Sequence, residues 1–370
     1  MKKILITPRR YVQGPGVLDE LGASVKPFGE KAVILWDKLV KRLFGETVLA
    51  SFREAGVEAV EVEFPGEATL AERSRVAQIA AEVKAAAIVA LGGGKVLDVA
   101  KGAANDAKTA MVSCPTIAST DSPTSACSVW YDEEGNYVGF DCWPFNPDLV
   151  LVDTRVIAGA PVRTFVAGMG DALATWLEAE AVYKSRSLNF AGGHTTMAAM
   201  TLASLCFETI LDFGREAKRD VERHLVTPAV EKVVEANVLH SGIGFESVGL
   251  ACAHDVGNFL SNFHECHEKG LMHGDKVAFG ILTQLCLDEE TDLELKRTVT
   301  DFLIDVGLPV TLADLGLDGL PKERLDAIGT FCAAEGSLTR NHRFPITPEA
   351  VVDALFSADA YGTKRKRQCS

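Results

Sequence analysis

The sequence predicts an α/β domain built on a doubly wound parallel sheet, followed by an all-helical domain. Three observations carry that prediction. Short apolar runs rich in valine and isoleucine alternate with amphipathic stretches as far as Val152. One run ends on Gly92-Gly93-Gly94 and leads straight into a helical pattern. Beyond Gly159-Ala160-Pro161 the strand signal gives way to helical periodicity broken by glycine and proline. Alternating strands and helices favour a parallel sheet with its ligand crevice at the strand ends.

Taken in order, Ile4–Ile6 reads as a short strand, and Arg9 to Gly16 as a turn-rich loop before a short helix at Val17–Leu21. Ala32–Trp36 is a buried strand ending at Asp37. A carboxylate there can accept hydrogen bonds from ribose hydroxyls, or it can cap the next helix. Helix Val40–Ala55, strand Ala59–Phe64 and helix Thr69–Lys84 follow. Ala85–Leu91 suits a strand covered on both faces, and the next helix shows its apolar stripe at Val96, Val99, Ala100, Ala103 and Ala104. The three glycines leave backbone amides open to an anion at a helix N-terminus, and Lys95 adds a mobile positive charge. GGGK is neither a Walker A loop nor a G-x-G-x-x-G fingerprint, and a tight turn alone would also use glycine.

After strand Ala110–Ser113 comes a hydroxyl-dense loop, Pro115 to Ser125, holding Thr116, Ser119, Thr120, Asp121 and Ser122. Such a segment serves as a surface connection or as a binding loop. A hairpin (Val129–Asp132, Tyr137–Phe140) and strand Leu149–Val152 complete the first domain, 1–160. The second domain, 161–370, carries helices at Asp171–Tyr183, Met197–Phe213, Pro228–His240, Leu250–Leu260, Lys276–Leu287, Leu293–Val306 and Lys322–Cys332. The cleft between two such domains is the expected site.

Composition narrows the partners. With 47% hydrophobic and 24% charged residues, the chain has an ordinary globular composition. A net charge of −14 argues against a nucleic-acid partner, and Lys364 to Arg367 reads as a solvated basic tail. No run of 18 apolar residues and no signal-peptide core occur, so a cytoplasmic protein with no membrane partner is expected. Nine cysteines show no C-x-x-C and read mostly as small buried hydrophobes in a reducing compartment.

Asp171, opening a helix after glycines, His254 within an apolar helix and His273 before Gly274 have the chemistry for a divalent metal. Two imidazoles and one carboxylate would leave a fourth tetrahedral position open. No local spacing ties the three, and His264 or His267 could replace His273 on chemistry alone.

The segments GGGK-x-L-D, PTIASTDSPTSA, GMGDALATW-x-EA, TPAVEKVVEAN, SGIGFESVGLACAH and HGDKVAFG-x-L-T-Q together closely resemble the glycerol dehydrogenases. These belong to the iron-containing alcohol dehydrogenase superfamily, which also contains dehydroquinate synthase. The resemblance spans Tyr11 to about Tyr361. It implies a dehydroquinate synthase-like architecture and NAD-dependent, zinc-assisted oxidation of glycerol to dihydroxyacetone, one zinc per subunit, in a homo-oligomer that is commonly octameric. Carried over by position, it implies Asp171, His254 and His273 as metal ligands, in preference to His264 and His267. It implies Asp37, Gly94, Lys95, Asp98, Thr116, Ser119, Ser125, Cys127 and Tyr131 as NAD contacts. It implies Asp121 as the carboxylate that binds glycerol, with Asp121 and His254 as the catalytic pair.

Two departures stand out. Thr175 occupies the place where iron-using relatives carry a fourth ligand, a histidine, and this favours zinc. Gly257 stands where many glycerol dehydrogenases carry a second histidine, which leaves another small vicinal diol or hydroxyketone, such as 1,2-propanediol, as the alternative substrate. A dehydroquinate synthase-like lyase is disfavoured because the segments around Asp121 and His254 hold no lysine or arginine for a phosphorylated acid. A non-catalytic relative is disfavoured because the cradle and all three ligand positions are present.

Overall fold

A computed structural model describes Met1–Cys369. Its main sheet has six parallel strands in the order β1-β8-β5-β4-β2-β3, with a separate antiparallel hairpin β6-β7. The strands are β1 Tyr11–Gly14, β2 Lys31–Trp36, β3 Glu58–Glu63, β4 Ala87–Gly92, β5 Ala110–Pro115, β6 Cys127–Tyr131, β7 Tyr137–Cys142 and β8 Leu149–Asp153.

The side chains of β2 and β4 alternate between two cores although residues 32–36 and 87–91 are apolar throughout. Val33, Leu35, Ile88 and Ala90 join one core, with Val76, Ala80, Val96 and Val99 from helices Leu70–Glu82 and Gly94–Ala107. Ala32, Ile34, Trp36, Val89 and Leu91 join the other, with Leu21, Val48 and Phe52. Each face is therefore covered, as a doubly wound sheet requires. From β2 the chain steps outward to β3, then returns to place β4 on the opposite side of β2. The crevice at the carboxyl ends of β2 and β4 is thus the topological switch point, the preferred ligand position in such sheets.

Two compact units result, but not by a single cut at 160. The α/β unit comprises Ile6–Phe165 together with Asp220–Gly242. Among the described residues, the helical unit comprises 1–5, 166–219 and 243–369. Long-range hydrogen bonds explain the exchange: Gln13 and Thr154 both donate to Glu231, and Asn237 donates to the carbonyls of Ala118 and Phe165.

Other expectations change as well. Ile4–Ile6 is not a strand; the N-terminus makes an isolated bridge, Lys3 with His194. Arg9 to Gly16 is not all loop, because β1 runs along β8 at the sheet edge. The helix expected over Pro228–His240 closes at Glu235 and continues as a wider π turn, Ala236–His240. The basic run is no loose tail. It ends helix Pro348–Cys369, where Arg365 pairs with Asp301 and Lys366 with Asp314. Helix Met197–Val221 is long and apolar enough to cross a membrane by length and composition; Ala199, Ala203, Cys206 and Ile210 lie buried within the protein.

Candidate active site

In the α/β unit, β4 ends at Gly92 and helix Gly94–Ala107 begins with no side-chain cap. A Cβ on Gly92 would come 2.7 Å from Val96, and one on Gly93 would come 3.0 Å from Ile117. Those two glycines let strand, helix and loop close on one another. Gly94 differs: a Cβ there meets nothing nearer than Thr120 Oγ1 at 3.6 Å. Its lack of a side chain keeps the uncapped helix N-terminus open to an anion, which is what a pyrophosphate needs. Lys95 pairs with Glu67 at 2.6 Å and lies 4.9 Å from the centroid of the Tyr131 ring.

Asp37 stands at the carboxyl end of β2 and caps helix Lys38–Glu54, accepting from the Val40 amide at 2.8 Å. That bond uses Oδ1, so capping and ribose binding by Oδ2 are compatible. Just beyond it, Leu39, Val40, Leu43, Phe44, Thr116 and Ile117 line part of a mostly apolar cavity of about 460 Å³. A flat apolar ring such as adenine suits that lining.

The hydroxyl loop is fastened from two sides. Buried Asp98 accepts from Ser122 Oγ at 2.7 Å and from the Val129 amide at 3.0 Å, and pairs with Lys101 at 2.9 Å. The Lys101 ammonium also donates to Ser122 O, to Ser125 Oγ and to the Cys127 carbonyl. On the other side, Asn237 holds the Ala118 carbonyl, Thr124 Oγ1 donates to Val238 O at 2.7 Å, and Ser241 Oγ donates to Asp121 Oδ2 at 3.3 Å. Asp98, Ser125 and Cys127 thereby position the loop, and Ser119 is buried within it. Asp121 and Thr116 remain half-exposed. Burial, together with the nearby Asp98 and Glu67 carboxylates, pushes the Tyr131 hydroxyl well above the usual tyrosine range.

In the helical unit, Asp171, His254 and His273 come together, their potential ligand atoms all within 4.8 Å of one another. Asp171 Oδ1 lies 3.3 Å from His254 Nε2 and 3.4 Å from His273 Nε2. Asp171 belongs to helix Val162–Ser185, His254 to helix Cys252–Leu260 and His273 to the start of helix His273–Leu287. Glycines let these helices meet at backbone distance. A Cβ on Gly274 would lie 1.8 Å from the Ala167 carbonyl oxygen, and one on Gly280 2.2 Å from that of Ala253. A Cβ on Gly170 would lie 2.5 Å from the Gly274 carbonyl oxygen. These contacts admit no side chain, so the glycines beside Asp171 and His273 are packing requirements.

Glu178, two turns along from Asp171, completes the arrangement and escapes sequence reasoning. Its Oε2 lies 2.5 Å from His254 Nδ1, while its Oε1 accepts the Ala251 and His254 amides. The i, i+7 spacing on one helix face was the available signal. This bond leaves His254 Nε2 facing Asp171, the arrangement by which carboxylates orient metal-binding imidazoles. Burial would keep His254 neutral, but the Glu178 and Asp171 carboxylates outweigh it and push its pKa well above the usual range. Burial, reinforced by His254 and Lys276, lowers His273 despite Asp171, so that its imidazole is neutral near pH 7, the form that binds a metal.

Other histidines are engaged elsewhere. Exposed His264 pairs with Glu268, and His267 Nε2 bonds the Ser261 carbonyl. Thr175 is buried against Gly244, whose Cβ would come 2.4 Å from its methyl, so no fourth protein ligand stands there. Gly257 is occupied by packing: a Cβ there would lie 2.8 Å from Val277 Cγ2 and 3.1 Å from its Cα. Two nitrogens and a carboxylate, with Asp171 and His254 buried, His273 half-buried and His254 held from behind by Glu178, fit a tetrahedral zinc with an open position.

A family model described as "Iron-containing alcohol dehydrogenase" matches residues 8–154. A glycerol dehydrogenase from Escherichia coli O6:H1 is 43% identical over 364 residues, covering 98% of each chain. A glycolaldehyde reductase from Halobacterium salinarum is 40% identical over 364 residues, covering 98% of this chain and 99% of the relative. The crystal structure of glycerol dehydrogenase from Schizosaccharomyces pombe superposes with a TM-score of 0.94 at 35% identity, covering 99% of this chain and 93% of the other.

Proposed function

Because this chain belongs to the iron-containing alcohol dehydrogenase family, we propose that it oxidises glycerol to dihydroxyacetone with NAD as hydride acceptor. The reading rests on the likeness to glycerol dehydrogenases over nearly the whole chain. The carboxylate–bis-imidazole cluster supports it.

Asp171, His254 and His273 would hold zinc, which would supply Lewis-acid chemistry toward a hydroxyl of the substrate. Glu178 fixes the His254 ring and tautomer, and the low pKa of His273 keeps its nitrogen available. NAD would supply the hydride-accepting ring. Its pyrophosphate would rest on the helix start at Gly94 and Lys95, its ribose against Asp37 and its adenine in the apolar cavity beyond. A carboxylate at Asp37 repels a 2′-phosphate, so NAD is preferred over NADP. Asp121 would accept a hydrogen bond from the substrate's neighbouring hydroxyl, favouring a vicinal diol over a simple alcohol.

A second reading keeps the chemistry and changes the substrate. Gly257 packs against Val277 and offers no side chain to a ligand, and one relative is a glycolaldehyde reductase. Another small diol or hydroxycarbonyl would then be preferred. A homo-oligomer and a cytoplasmic location complete the reading. Comparing kcat/KM for glycerol, 1,2-propanediol, ethanol and glycolaldehyde, each with NAD(H) and NADP(H), tests it. Glycerol should lead the alcohols with NAD; activity on ethanol equal to that on glycerol would overturn the diol assignment.

A further inference from the structure

The cysteines of the hairpin carry chemistry that alcohol oxidation does not use. Cys127 and Cys142 are cross-strand partners of β6 and β7, with their sulfurs 3.2 Å apart. The neighbouring pair, Ala126 and Trp143, is hydrogen-bonded through the Trp143 amide. Cys127 and Cys142 therefore occupy a non-hydrogen-bonded position, where facing Cα atoms approach to about 4.5 Å and side chains are nearest. That separation lies within the range a disulfide spans, so closing to a bond of about 2 Å needs only side-chain rotation. Cys142 is exposed and Cys127 half-exposed, whereas Cys114, Cys206, Cys252, Cys266 and Cys332 are buried.

We propose that Cys127 and Cys142 form a reversible oxidation site whose substrate is a peroxide and whose product is an intrachain disulfide. Cys142 is the attacking sulfur because it is the exposed member of the pair. The Cys127 thiol and the Lys101 ammonium favour its thiolate, against burial and the Asp141 carboxylate. The thiolate attacks one peroxide oxygen, the O–O bond breaks, and the departing hydroxide takes a proton to become water. Cys127 sulfur then attacks the sulfenic sulfur of Cys142. The S–S bond forms, the S–O bond breaks, and the leaving hydroxide takes the Cys127 proton as a second water. Two thiols lose two electrons, and hydrogen peroxide is reduced to two waters. A partner 3.2 Å away should capture the sulfenic acid before it oxidises further.

The full-length protein is treated with hydrogen peroxide, alkylated without reduction, digested and analysed by mass spectrometry. The expected product is one cross-linked species joining the Cys127 and Cys142 peptides, lighter by two hydrogens and reopened by dithiothreitol. Free thiols should fall by two per chain. Cys142→Ser should retain basal activity and thermal stability and lose no pair of thiols under the same dose. Cys142 recovered as sulfinic acid with Cys127 still alkylatable would overturn the proposal, as would a cross-link between different cysteines. Neither readout depends on glycerol turnover, so failure here is separable from failure of the proposed dehydrogenase activity.

Discussion

Glu178 holds His254 twice over: Oε2 lies 2.5 Å from ring Nδ1, and Oε1 accepts the His254 backbone amide at 2.9 Å. One carboxylate thus caps helix Cys252–Leu260 and aims the imidazole it carries. Sites work when the groups behind the ligands are locked in this way.

Glu178→Gln should therefore weaken the metal site without removing a ligand. The amide oxygen can still accept both backbone hydrogen bonds, but the NH2 group then faces the ring nitrogen in place of an acceptor. Zinc affinity should fall about 10- to 100-fold. Competition with a fluorescent chelator measures this, and kcat should recover when zinc is added in excess.

Gly257→Ala tests whether that glycine is a packing element. Its Cβ would press on Val277 at 2.8 Å, forcing apart the helices that carry His254 and His273. A loss of about 1–3 kcal/mol of stability is expected, with lower zinc content at equal added metal. Urea unfolding together with metal analysis would show both.

Asp37→Ser separates the two roles of that carboxylate. Serine caps a helix about as well as aspartate, so the melting temperature should hardly move. On the proposed reading, a charge-assisted bond from Asp37 to the ribose would be worth about 1.5–3 kcal/mol. KM for NAD should then rise roughly 10- to 100-fold, and discrimination against NADP should relax.

Much of this was legible in the residues themselves. The glycine turn, the hydroxyl loop and the chemistry of one carboxylate and two imidazoles are local features that show in sequence. Glu178 was hidden because its i, i+7 spacing from Asp171 places it on the same helix face but does not reveal that it meets a histidine 76 residues away. Strand β1 was missed because it is only four half-buried residues long and ends at Gly14 beside Pro15, with no alternation to announce it. Asp220–Gly242 looks like any helical segment; bonds such as those of Glu231 with Gln13 and Thr154 and of Asn237 with Ala118 and Phe165 assign it to the α/β unit. The basic run reads as a tail until its partners Asp301 and Asp314 are seen, since both are distant in sequence.

Asp314→Asn tests that last contact and predicts a pH dependence. Burial opposes ionisation, but the Lys366 ammonium and the Val310 and Thr311 donors outweigh it and lower the Asp314 pKa. A depressed carboxylate stabilises the fold above its unfolded pKa near 4 and loses that contribution as pH falls through the lower folded value. The wild type should exceed the variant by about 1 kcal/mol at pH 7. The two melting temperatures should converge as pH falls below the usual carboxylate range.

The central claim is that Asp171, His254 and His273 hold a zinc on which glycerol oxidation depends. The most direct measurement follows NADH formation from glycerol beside zinc content, before chelator dialysis, after it, and after zinc is restored. One zinc per chain, loss of activity with loss of metal, and recovery on adding zinc are the expected results, with His254→Ala remaining inactive and metal-poor throughout. Undiminished glycerol oxidation by metal-free protein would contradict the claim.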